Sequence, residues 1–423
     1  MEYKKIDKSS YVLHLIKTEK FKTITIRCVF KDEIKKEEIT IRNFLFELLL
    51  SSSKNYSSKR KMNIAKQNLY DLSLYGNNTR IGNIVDTEIS ISFLDPKYVN
   101  SDIVKPSIEF LKEIIFNPNL EDNEDFRINF DITKNYLASY IKQGLDFPRS
   151  YSDLKIRELM GENYKFSYNM DGYIEDLEKI NLISLKKYYE KFIKNSLIDI
   201  YVVGNIDFYE IEKTIDSMMS FNVLRKNDID FSINYVPNNK KVKTYEEELS
   251  FNQSRLVISC YFKKLTEIER KYSMFLYNII LGATPDSFFF KNIRENKSLT
   301  YDIRSSYHKN DNFLIISSGL DEKNTKEVIS EIKKEMNNMK KGNFSEEKLN
   351  NAKAIMISSI KEFDEYPNSI IDYYFSMEYL NSDDINTAIK FIESVTKEDI
   401  IKLSKKVNLD YIYLLKGVKD EKN

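Results

Sequence analysis

TITIRCVFK, Thr23–Lys31, alternates apolar and polar positions and is rich in β-branched residues, the pattern of a half-buried strand. The chain writes it again as SRLVISCYFK, Ser254–Lys263, with Cys260 at the place of Cys28. Outward from this pair, three more matches follow in unchanged order. EISISFLD (Glu88–Asp95) resembles LIISSGLD (Leu314–Asp321). SYIKQGLDFPRSYSD (Ser139–Asp153) resembles SSIKEFDEYPNSIID (Ser358–Asp372), with Pro148 against Pro367. DIYVVGNID (Asp199–Asp207) resembles YIYLLKGVKD (Tyr411–Asp420), with Gly204 against Gly417. The separation between partners shrinks slowly along the chain, as it does when one copy of a duplicated domain has been trimmed by small deletions.

Between the strand patterns lie helical ones. Ile108, Leu111 and Ile115 recur at helical spacing, and Val328, Ile332 and Met336 do the same in the second copy. Thr396 with Asp399 reads as a capping box. Phe363–Pro367 reads as a turn into a helix that opens at Pro367. Grouped strands with packed helices indicate an α+β fold. The polar stretch 225–246, centred on Pro237, Asn238 and Asn239, is placed as a linker, with domains at 1–224 and 247–423.

Composition excludes several classes. The 65 basic and 65 acidic residues cancel, which removes the electrostatic case for nucleic acid or an anionic membrane. Neither a P-loop nor a GxGxxG pattern occurs among the ten glycines. Cys28 and Cys260 fall on equivalent strands of different copies and are expected as buried thiols, not a bridge. The start MEYKKIDKSSY lacks the apolar core of a signal peptide, and no apolar run approaches the roughly 20 residues of a membrane span. The expectation is a cytoplasmic protein without a cofactor.

Four stretches carry a resemblance. LGATPDSFFFKNIRENKSLTYDI (Leu281–Ile303), with its Leu-Gly turn, Ser-x-x-Phe step, Ile-Arg-Glu and Leu-x-Tyr, resembles the second-domain signature of the insulinase/pitrilysin metallopeptidase superfamily. LHLIKTEKFKTITI (Leu13–Ile26), LLLSSSKNYSS and NLYDLSLYG resemble more narrowly its YmfF-type, non-peptidase branch. The resemblance implies two LuxS/MPP-like domains, each a mixed, mainly antiparallel sheet with helices packed on one face. It implies a half-shell of a peptide chamber, pairing with a zinc-bearing YmfH-type paralogue or as a homodimer. It also carries a link to 5-aminopentanol modification of elongation factor P. Some superfamily members are instead purely structural subunits.

Active members of that superfamily hold zinc with His-x-x-Glu-His on the first long helix, and the Glu is the general base. The aligned stretch here is Phe44-Leu45-Phe46-Glu47-Leu48, so Phe44 and Leu48 take the histidine positions. The third ligand falls near Ser139 or Tyr140, where no acid lies between Asp131 and Asp146. The chain is therefore expected to hold no metal and to have no catalytic residue. Glu47 reads either as a leftover base or as a helix acid needing a cation, a Tyr hydroxyl or a cavity. Arg294 and Tyr301 match the pair that in active relatives reaches the bound peptide; alternatively Arg294 pairs with Glu295 or another nearby acid, and Tyr301 packs. Ser51–Ser53 reads as a solvated helix end, and Phe288–Phe290 as core at a helix junction.

Overall fold

Strand-forming segments pair into two sheets of the same design. The computed structural model describes residues 1–221, 229–237 and 241–417; positions 225–228 and 238–240 of the expected linker lie outside the described residues. The first sheet contains β1 (Glu2–Asp7), β2 (Val12–Lys17), β3 (Thr23–Glu33), β4 (Ser73–Ile81), β5 (Ile84–Leu94) and β6 (Leu197–Gly204), in the order β1-β2-β6-β3-β5-β4. The second contains β7 (Lys243–Leu249), β8 (Ser254–Phe262), β9 (Thr300–His308), β10 (Phe313–Leu320) and β11 (Val407–Gly417), in the order β7-β11-β8-β10-β9.

With β1 set aside, the two orders match strand for strand. The parallel pairs are β2 with β6 and β7 with β11; the other pairs are antiparallel. Cys28 sits opposite Ile89 and Ile200, and Cys260 opposite Leu314 and Leu409. Gly204 and Gly417 close equivalent strands. At Gly417 a Cβ would collide with the backbone of Phe251 and Gln253, and at Gly204 it would crowd Ile24 and the Thr23 carbonyl.

Helices bury one face of each sheet. The helix Ile39–Ser51 is apolar on most sides, and Val104–Phe116 turns Ile108, Leu111 and Ile115 inward. Both pack on Leu13, Ile26, Cys28, Phe30, Ile89 and Ile91. In the second sheet Leu256, Ile258, Cys260 and Leu314 meet Val328, Ile332 and Met336 of the helix Thr325–Lys341. Each such fully buried side chain contributes on the order of 2 kcal/mol. The capping box forms at Thr396 and Asp399, and a helix opens at Pro367.

The chain divides into two compact units, each assembled from separate segments. One comprises 1–143, 169–231 and 364–374; the other comprises 144–168, 232–363 and 375–423. Each unit thus takes one segment from the opposite sequence copy. In the second unit that segment holds the helix Pro148–Met160. Its Ile156 and Met160 cover the other sheet face through Val257, Phe313, Ile315, Tyr411 and Tyr413, so this sheet carries helix on both faces.

Candidate functional site

The helix Ile39–Ser51 carries the residues singled out by sequence. Phe44 is fully buried, with its ring 4.8 Å from that of Phe130 at 44°. Leu48 is buried in the same core. Both are hydrocarbon packed in hydrocarbon, an environment with no lone pair to offer a cation. Glu47 points to the half-exposed side. Burial raises its pKa, and Lys59 on the helix Lys59–Asn68 opposes the shift. Burial raises the Tyr136 phenol, and the charge of Asp171, then burial, raises that of Tyr140; the charge of Glu47 adds to both, and the two rings stack 6.1 Å apart. Tyr140 and Glu47, read separately from sequence, are therefore neighbours. A lone carboxylate beside two phenols and a lysine can accept hydrogen bonds.

Sequence reading missed the surface beside it. Ile128, Ile132, Tyr136 and Tyr140 are exposed at 51%, 61%, 51% and 46% and repeat every fourth residue of the helix Glu124–Asp146. Phe126, Thr133, Leu137 and Ile141 bury the opposite side. The signal was an apolar stripe on each of two faces. The solvated serine end is also corrected. Ser52 and Ser53 are buried, because the chain turns inward there: the Ser53 amide donates to Tyr56 O, and the Tyr56 amide to Ser53 Oγ at 3.1 Å.

Arg294 and Tyr301 belong to the second unit. Arg294 is exposed on the π-type turn Phe289–Glu295, with its guanidinium 4.5 Å from the Phe290 ring centre, a cation–π contact. It makes no ion pair with Glu295 among the described residues. Tyr301, at the edge strand β9, is 55% exposed and donates to Asp321 Oδ1 at 2.7 Å, which raises its pKa. Both polar ends face solvent. Phe289 alone of the Phe triplet is fully buried.

A further polar layer lies on the first sheet's other face. Lys31 pairs with Asp199, each about 1% exposed. Arg27 reaches Glu88 at 3.0 Å and Asp372 at 2.6 Å. His14 stacks on Tyr201 at 4.2 Å, and its Nδ1 lies 2.8 Å from the Tyr3 hydroxyl. Asp86 is buried beside them. Burial, then the charge of Glu88, pushes its carboxyl up to about 8 against the pull of Lys31 and Arg27. The sequence signal was a charge at alternate positions of β3 and β5. Among the described residues, no group of three His, Cys, Asp or Glu side chains is placed to hold a metal ion.

The family model described as the peptidase M16 inactive domain matches residues 179–356. That match covers the middle of the chain, and the fold shared with an M16 inactive-domain structure extends over its full length. It is 26% identical over 413 residues to the Bacillus subtilis protein described as "Probable inactive metalloprotease YmfF", covering 96% of this chain and 95% of that one. Among solved structures it is similar to a conserved protein from Enterococcus faecalis (TM-score 0.91, 23% identity, 99% of both chains). A peptidase M16 inactive domain from Pseudomonas fluorescens also shares the fold (TM-score 0.79, 13% identity, 100% of this chain and 99% of that one). Among the described residues, no helix is long and apolar enough to cross a membrane.

Proposed function

We propose that this chain is the non-catalytic subunit of a metallopeptidase pair, a positioning half whose zinc-bearing paralogue holds the reacting water. The carrying observation is the burial of Phe44 and Leu48 in the core beside Glu47. On this reading the helix that holds the metal in active relatives has become packing, and Glu47 has no activated water to deprotonate. Arg294 and Tyr301 are the peptide-facing pair. The exposed guanidinium grips a carbonyl or carboxylate, and the hydroxyl, on turning away from Asp321, donates to an oxyanion at the partner's metal. The edge strand β9, beginning at Thr300, offers unpaired backbone for an extended peptide. On this reading the chain contributes to the wall of a peptide chamber formed with the paralogue, in a cytoplasmic protein.

The test is purification of the tagged protein from its own cells, with zinc and peptidase activity assayed on the complex and on the isolated chain. The reading requires an M16-type paralogue to co-purify, cleavage by the complex alone, and reduced turnover on R294A with unchanged assembly. A stable complex inactive on every peptide tried would favour an assembly role in a modification pathway such as that of elongation factor P. Stoichiometric zinc on the isolated chain would overturn the proposal.

A further inference from the structure

The second unit contains a cavity of about 470 Å³ between the helix Thr325–Lys341 and the start of β11. Lys333, Asn337 and Lys340 reach it from the helix, Lys241 from the segment before β7, and Asn408 from β11. None of the three lysines forms a salt bridge among the described residues. In the first unit, by contrast, a cavity of about 300 Å³ is lined by Lys31, Arg42 and Lys191, which pair with Asp199, Asp32 and Glu38. Lys35 is the one cation lining that cavity without an ion pair among the described residues.

Helix geometry makes the lysines converge. Lys333 and Lys340 are two turns apart, on the order of 10 Å, with Met336 and Asn337 between them on the same side. A lysine side chain spans about 6 Å, so both ammonium groups can meet one ligand above Asn337. Asp410 is the acid of the lining. It is buried and accepts the Tyr235 hydroxyl, and Lys243 also acts on it, so its charge is engaged from behind. The lining still carries a net positive charge. Tyr261, Met336 and Leu409 supply an apolar wall. The volume is that of a small-molecule site.

We propose that this cavity binds a diphosphate-bearing small molecule. Lys333, Lys340 and Lys241 neutralise the phosphates, Asn337 and Asn408 donate hydrogen bonds, and the Tyr261–Met336 wall receives any organic part. The site is separate from Arg294 and Tyr301 and does not depend on any peptidase role.

The test is calorimetry of the full chain with pyrophosphate and with ADP, on the native protein and on K333Q/K340Q, with K353Q as a surface control. Native protein and K353Q should bind, with affinity falling as salt rises. K333Q/K340Q should lose at least tenfold in affinity while its circular dichroism and melting stay native. Tighter ADP than pyrophosphate assigns the wall to an organic group; equal affinity assigns the site to inorganic diphosphate. No binding of either at millimolar concentration, or equal binding by K333Q/K340Q, overturns the proposal.

Discussion

The substitution F44A tests whether the first long helix is core or remnant site. Phe44 is 0% exposed, its ring packs on Phe130 at 4.8 Å, and Leu45, Leu48 and Leu49 of the same helix are buried around it. Removing a buried phenyl forfeits its transfer free energy and leaves a cavity, typically costing about 3–5 kcal/mol. Collapse is restricted here, because Phe44 lies mid-helix in Ile39–Ser51. For a unit of this size, about 2–4 °C is lost per kcal/mol, so the first unit's melting transition should fall by roughly 6–20 °C. The partner measurement is Y140A, whose ring is 46% exposed and should move the transition by less than about 2 °C. Differential scanning calorimetry on the three proteins reads both numbers. A cost below about 1 kcal/mol for F44A would refute the reasoning, since it would mean the pocket around residue 44 is open or readily refilled.

Three further outcomes follow from buried charge and buried thiols. Asp86 has a native carboxyl pushed up to about 8, against about 4 in an unfolded chain, so its stabilisation is complete below about 4 and is lost as pH rises towards 8. Urea titrations across that window should show the native protein weakening and D86N following a shallower slope; parallel slopes would exclude the mechanism. Removing one partner of the buried Lys31–Asp199 pair, as in D199A, should cost about 3–5 kcal/mol, and K31M/D199L much less; equal costs would show that the pair is not what holds that layer. Cys28 and Cys260 are fully buried, and burial pushes both thiols up. A thiol reagent should label neither within minutes in buffer and both in denaturant; prompt labelling of the native protein would show that these strands open readily.

Sequence by itself determined whatever depends on near neighbours along the chain. Thr23–Lys31 and Ser254–Lys263 declared themselves strands by period, and their ordered recurrence gave the duplication that the two sheet orders repeat. Ile108, Leu111 and Ile115 declared a buried helix face, and Thr396 with Asp399 a capped start. The edge strands β4 and β9 were not legible, because SLYGNNTRI and TYDIRSSYH are polar and a strand paired on one side needs little apolar patterning. Tertiary structure alone decided that 144–168 and 364–374 each pack with the opposite sequence copy. A helix records which face is apolar, but not which sheet will cover it. The same limit hid the meeting of Glu47 with Tyr136 and Tyr140 and the lysine-lined cavity. Those sites are made by residues far apart in the chain, and only the fold sets the distances at which their charges act.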